Sequence, residues 1–137
     1  MILLSEVKTP VGSHPPGKAM SKNEFKRIKK SFEKNPWLSF EVVDYNNKYP
    51  NSNDAEFILM GESAEVTNAH CIYANVDIKQ QGIKKIEEVD KYLFRAKIQT
   101  MEFNAKYHQA DIHVTEVKAL PLSIITENNE EVPTYFH

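Results

Sequence analysis

The sequence contains a single cysteine, Cys71, and only four glycines in 137 residues. One cysteine cannot form an internal disulfide bond, and it cannot supply the several thiolates of a structural zinc finger. The glycines show none of the spacings that cradle a nucleotide phosphate. We therefore expect neither a disulfide scaffold, nor a zinc finger, nor a nucleotide-binding loop, and no cofactor.

Long hydrophobic runs are also missing. The opening residues, MILLSEVKTP, contain a brief apolar run with no basic residue before it. This pattern is too short for a transmembrane helix and lacks the charged start of a secretory signal. We expect an intracellular, cytoplasmic protein without membrane contact, or a virion component if the source is a virus or mobile element. The overall composition, 41% hydrophobic and 26% charged, is typical of one globular domain.

Residue arrangements that would carry out chemistry are absent as well. None of the five histidines pairs with another at the spacing of metal ligands on a helix. Cys71 and His70 are neighbours on a predicted strand, so their side chains point to opposite faces. The His-x-Thr pattern of two-histidine phosphoesterases occurs once, at His113, where two copies are needed. These observations predict a non-enzymatic protein with no catalytic or metal site.

Charge is distributed unevenly along the chain, whose formal net charge is -2. The first 36 residues contain eight Lys or Arg and three Glu, a surplus of five positive charges that leaves a surplus of seven negative charges for the remainder. This asymmetry is typical of nucleic-acid contact, but a basic helix near an acidic sheet edge produces it too. We favour the solvated helix, because charge runs on helices mostly face water.

The best-defined element is a helix that follows the first proline-rich stretch. Ser21 and Glu24 form a capping box, and Met20 and Phe25 occupy the positions of a hydrophobic staple. Helical spacing continues the apolar stripe through Ile28 and Phe32. The pattern predicts an amphipathic helix over residues 22–34.

Strand periodicity follows the helix. Alternating apolar residues predict strands over 37–45, 55–60 and 64–79, the last with a bend near 68–70, and residues 82–92 suggest a short helical turn. Residues 92–103 and 107–117 predict a hairpin with a three-residue loop. That loop sets Lys97 opposite His113, so that one polar face faces water.

These elements predict an α+β fold, in which one amphipathic helix packs on a mostly antiparallel sheet of about five or six strands. The domain would span residues 20–137. The Pro- and Gly-rich residues before it lack any helical or strand period and predict an extended arm over 1–19.

Two functions follow as hypotheses. The first is a protein-binding or assembly subunit, possibly homo-oligomeric and viral, that acts through its arm, its C-terminal aromatics and its sheet surface. Its candidate contacts are Pro10, Pro15, Pro16, Tyr135 and Phe136. The alternative is a nucleic-acid-binding protein that uses the basic helix and the polar face of the 91–118 hairpin. Its candidate contacts are Lys26, Arg27, Lys29, Lys30, Arg95 and Lys97.

Overall fold

The structure is a computed structural model, and it describes residues 19–48 and 55–123. These residues form an α-helix, five strands and a 3₁₀ helix that precedes the fourth strand. Their bounds are α1 (Lys22–Ser31), β1 (Trp37–Asn47), β2 (Glu56–Glu62), β3 (His70–Asp77), the 3₁₀ helix (Ile86–Lys91), β4 (Tyr92–Asn104) and β5 (Gln109–Pro121).

The strands close into a barrel in the order β1-β2-β3-β5-β4. β1 closes it by pairing with β4 through residues 37–40 and with β2 through residues 41–47. A register shift between Val42 and Asp44 bends β1 between these two partners. All pairs are antiparallel except β3 with β5, which is parallel.

The barrel corrects the predicted fold. A helix with mostly antiparallel strands is confirmed, but the open sheet packed against an amphipathic helix is wrong. Alternation of period two reports which face of a strand is buried, but it carries no information on whether the first and last strands pair. Closure involves only part of β4, because β1 pairs with its residues 94–97.

The core fills the barrel with side chains from every strand. Phe40 of β1 and Phe94 of β4 stack with ring centroids 5.4 Å apart, and both are almost completely buried. The helix α1 adds Met20, just before it, and Phe25, whose ring lies 5.6 Å from that of Phe103. The helix therefore packs beside the half of β4 that β1 leaves unpaired.

The start of α1 is as predicted, and its end comes earlier. The Ser21 hydroxyl accepts a hydrogen bond from the Glu24 N–H at 3.1 Å. The helix ends at Ser31 instead of residue 34, and the N–H of Phe32 donates to carbonyls of the last turn. Phe32 still packs against the core from this capping position.

The predicted hairpin exists, but its predicted register is wrong. Asn104 pairs with Gln109, so the turn has four residues instead of three. The Asn104 side-chain oxygen accepts hydrogen bonds from the N–H groups of Lys106 and Tyr107 at 3.0 and 3.2 Å, and His108 adopts a positive φ of 53°. Asx capping of this kind stabilises the longer turn.

The predicted long strand over 64–79 is shorter than expected. β3 begins only at His70, and the residues before it form a loop, which holds a turn from the Ser63 carbonyl to the Val66 N–H. The helical turn predicted over 82–92 is confirmed as the 3₁₀ helix.

Candidate functional site

One outer face of the barrel combines an aromatic ring with several cations, which we call the basic patch: Trp37, Arg95, Lys97 and Lys118. Trp37 of β1 lies opposite Lys97 of β4, and Arg95 lies opposite Lys118 of β5. The Arg95 guanidinium carbon lies 5.9 Å from the Trp37 ring centroid, a cation–π contact. Arg95 also donates a hydrogen bond to the Ser39 hydroxyl at 3.4 Å.

Arg95 and a carboxylate both contact Ser39: the Ser39 hydroxyl accepts from Arg95, and the Glu65 carboxylate accepts a hydrogen bond from the Ser39 N–H at 3.2 Å. Within residues 19–48 and 55–123, no carboxylate forms an ion pair with Arg95, Lys97 or Lys118. Arg95 pairs in register with Lys118 of β5, while its guanidinium contacts Trp37 and Ser39 of β1.

The basic residues predicted on the helix are less concentrated. Lys26, Lys29 and Lys30 are exposed, whereas Arg27 pairs with the Glu24 carboxylate and lowers the pKa of that group. Lys29 lines a cleft of about 420 Å³ between α1 and residues 98–102 of β4, together with the carboxylates Glu33 and Glu102. The cations of α1 are therefore not part of the basic patch.

A second set of outward side chains crosses four strands in one line, which we call the aromatic row: Met60, Tyr73, His113 and Thr100. The register pairs Met60 with Tyr73, Tyr73 with His113, and His113 with Thr100. The rings of Tyr73 and His113 stack, with centroids 5.0 Å apart and planes 20° apart.

Sequence analysis missed the aromatic row and also Trp37. A signal for Tyr73 was present, because apolar Ile72, Ala74 and Val76 alternate around it and leave Tyr73 on the outer face. Its neighbours could not be inferred, since the hairpin prediction set His113 opposite Lys97 instead of Thr100.

Two carboxylates, Asp111 and Glu102, lie side by side on neighbouring strands next to the aromatic row. Asp111 of β5 lies between Cys71 of β3 and Glu102 of β4. Its two carboxylate oxygens accept hydrogen bonds from the side-chain amides of Asn104 at 3.0 Å and Gln109 at 2.6 Å. These two hydrogen bonds fix the orientation of the Asp111 side chain.

Two groups on β3, the buried Cys71 and the aromatic-row residue Tyr73, have strongly raised pKa values. Burial raises the pKa of the Cys71 thiol to about 12, and burial also raises the pKa of the Tyr73 hydroxyl. Cys71 is fully buried and protonated at neutral pH, so it lacks the thiolate that acts as a nucleophile.

The predicted partner-binding residues lie outside the described residues: Pro10, Pro15, Pro16, Tyr135 and Phe136. In the described ranges, no group of three or more His, Cys, Asp or Glu side chains is arranged to bind a metal ion. The same part of the chain contains no helix that is long and apolar enough to cross a membrane.

Comparison with protein families, with curated proteins and with solved structures finds no match to this chain. The basic patch and the aromatic row both lie on the outer surface of the barrel, and they share strands β4 and β5.

Proposed function

We propose that this protein binds single-stranded nucleic acid on the outer face of the barrel, through the basic patch. The observation that supports this proposal is the contact of Trp37 with Arg95, flanked by Lys97, with neither cation in an ion pair among the described residues. Proteins that bind single strands combine aromatic rings, on which bases stack, with cations that follow the phosphates. The basic patch provides both groups within neighbouring strands.

The barrel architecture adds support by analogy. Five-stranded barrels of the OB-fold type bind oligonucleotides and oligosaccharides on the face of their second and third strands and through the β1–β2 and β4–β5 loops. Here the β4–β5 turn carries Lys106 with its ammonium 5.3 Å from the Tyr107 ring centroid. Shared architecture does not fix function, so the proposal depends on the side chains of the patch.

A single strand suits this surface better than a duplex. Proteins that read a duplex insert a helix or β-ribbon into a groove, with the contacting side chains on one side of that element. The cations of α1 are instead spread around the helix, and Arg27 is occupied by Glu24. The exposed cations of the barrel lie beside an aromatic ring, which can stack only on an unpaired base.

The experiment uses the fact that Trp37 is the only tryptophan of the chain. We expect an oligodeoxythymidylate to quench Trp37 fluorescence at low salt, with an affinity that falls as salt rises. Lys97→Ala should reduce the slope of log affinity against log salt by about 0.7, the value for one phosphate contact of a single strand. Lys84→Ala removes an exposed lysine outside the basic patch and is the matched control.

Two results would contradict nucleic-acid binding. The first is the absence of quenching and of any mobility shift for single-stranded DNA and RNA in 20 mM salt. The second is an equal loss of affinity in the Lys97→Ala and Lys84→Ala variants. That result would indicate a general charge effect in place of a site.

Protein–protein association, the first hypothesis from the sequence, has support from a different surface. A cleft of about 460 Å³ is lined by Glu41, Glu62 and Glu65 around Val43, which is 50% exposed. The exposed lysines of α1 in a second copy of the chain have the complementary charge. We propose as a second candidate that this acidic cleft binds α1 of another copy, in a head-to-tail contact.

Sedimentation velocity tests this candidate. We expect self-association at 50 mM salt that is lost at 500 mM salt, because contacts between exposed charges are screened. Glu41→Lys with Glu65→Lys should abolish association, and adding Lys26→Glu with Lys29→Glu in the partner copy should restore it. A monomer at every salt concentration would rule out the contact.

A further inference from the structure

We infer that the stacked pair of Tyr73 and His113 is a base-stacking subsite, and that the bordering carboxylates direct the phosphates toward Lys97. This inference depends on the proposed function and specifies how the strand lies on the barrel. It assigns bases and phosphates to different lines of side chains.

The geometry of the pair fits a flat ligand. His113 is exposed and Tyr73 is half-buried, so the mutual stacking of the two rings leaves ring surface open to solvent. Met60 and Thr100 continue the line on either side, across β2 and β4. Neighbouring strands are about 4.8 Å apart, so the row of four side chains extends roughly 14 Å across the barrel. That length accommodates a few stacked bases.

The basic patch lies at a suitable distance from this row. Thr115, two residues after His113 on β5, pairs with Lys97, which in turn pairs with Trp37. Two residues of an extended strand cover about 7 Å and the step from β5 to β4 adds about 5 Å sideways, so Lys97 is a diagonal neighbour of His113 on the barrel surface. A base on His113 would therefore place its phosphate near Lys97.

The opposite side of the row repels phosphate. Asp111 precedes His113 by two residues and lies opposite Glu102. Asp111 accepts hydrogen bonds from two side-chain amides, and Glu102 is exposed. The carboxylates repel the phosphates of the nucleic acid and Lys97 attracts them, so its sugar–phosphate backbone runs on the Lys97 side of the row. The bases then lie over the aromatic row. Such a site takes unpaired bases and excludes a duplex, whose base faces are already stacked.

The test compares two variants and two ligands by titration of the full chain. With a 12-nucleotide oligodeoxythymidylate, His113→Ala should lower affinity by about five- to 150-fold, the range for loss of one base stack, without changing the salt slope. His113→Phe keeps an aromatic face and should restore most of the affinity. With an oligonucleotide of the same length that lacks bases, His113→Ala should have no effect, since no base is available to stack.

The outcomes separate this inference from the proposed function. If wild type binds the normal oligonucleotide but His113→Ala weakens the normal and the base-free ligands equally, the stacking subsite is wrong and the basic patch stands. If His113→Ala lowers the salt slope as Lys97→Ala does, His113 contacts a phosphate. The assignment of bases to the aromatic row and of phosphates to Lys97 is then wrong. If wild type binds neither ligand, both proposals fail. Thermal melting of His113→Ala checks its fold, which should be unaffected because His113 is exposed.

Discussion

His70 is fully buried at the start of β3, and both of its ring nitrogens have hydrogen-bond partners. The Ser63 N–H donates to Nε2 at 2.8 Å, and Nδ1 lies 2.8 Å from the Asn68 carbonyl, to which it donates. One nitrogen therefore accepts and the other donates, which only the neutral ring can do. Burial lowers the pKa of His70 below its ordinary value of 6.5.

This arrangement predicts a loss of stability in mild acid. Because the folded pKa lies below the unfolded pKa, the unfolded chain binds the proton first as pH falls through 6.5. The free energy of unfolding should then fall by up to about 1.4 kcal/mol for each further pH unit, until the folded pKa is reached. Urea unfolding between pH 8 and pH 5.5 measures this effect.

His70→Gln provides the control, because its side-chain oxygen can accept from the Ser63 N–H and its amide can donate to Asn68. The glutamine does not titrate, so this variant should lose most of the pH dependence in that range. An equally steep loss of stability in the variant would mean that other groups are responsible.

The sequence predicted which side chains of β4 lie on the outer face. Alternation along β4 predicted Arg95 and Lys97 on an outer face, because in-and-out alternation is a local property of a strand. Trp37 and Tyr73 were not predicted as site residues, since their roles depend on which strands become neighbours. Strand order and the two register shifts of the β4–β5 hairpin are properties of the whole barrel, and no local pattern reports them.

At the scale of elements, the bend of β1 depends on a glycine in the neighbouring strand. Gly61 of β2 pairs with Val42, where the register shift begins. A Cβ atom at Gly61 would lie 2.5 Å from the Glu41 carbonyl oxygen and 2.6 Å from the Phe40 ring. The strands can approach this closely only because residue 61 has no side chain.

Gly61→Ala should therefore destabilise the protein by about 1–3 kcal/mol, the usual cost of overpacking. The control is Gly82→Asn, where φ is +78° and a Cβ atom would meet no neighbouring atom within 4 Å. Asparagine tolerates positive φ, so this variant should remain close to wild type in denaturant unfolding. A Gly61→Ala variant as stable as wild type would show that β1 and β2 separate easily.

The helix α1 shows what local sequence predicts well and what it does not. Its start was predicted because the Ser21 cap is a contact within four residues. Its end at Ser31 was not, since the apolar stripe continues to Phe32, which packs on the core from outside the helix. Apolar periodicity reports burial, and burial continues past the last helical hydrogen bond.

Removal of the cap gives a prediction for this element. Ser21→Ala should lower the free energy of unfolding by about 1 kcal/mol, because the Glu24 N–H loses its acceptor. Asn23→Ala, at an exposed position in the first turn of the same helix, should change it by less than about 0.5 kcal/mol. Chemical unfolding of both variants decides the matter, and equal stabilities would mean that water replaces the cap without loss.

At the scale of the whole molecule, closure of the barrel brings together segments far apart in the chain. Residues 37–40 pair with residues 94–97. β3 pairs in parallel with β5, although the whole of β4 separates the two strands in the sequence. The hairpin β4–β5 could be predicted because it is local, whereas these pairings join distant residues. The predicted open sheet is therefore wrong in its topology, although most of the predicted strands are present in the barrel.

Long-range closure also predicts how the protein folds. Proteins dominated by distant pairings fold in milliseconds to seconds, because loop closure costs entropy before the contacts form. Trp37 lies in the pairing of β1 with β4, so its fluorescence reports barrel closure. If closure and sheet formation are one cooperative step, stopped-flow fluorescence and far-UV circular dichroism should give the same refolding rate. A dichroism signal that forms well before the Trp37 signal would instead reveal an open-sheet intermediate, in which strands pair before β1 reaches β4.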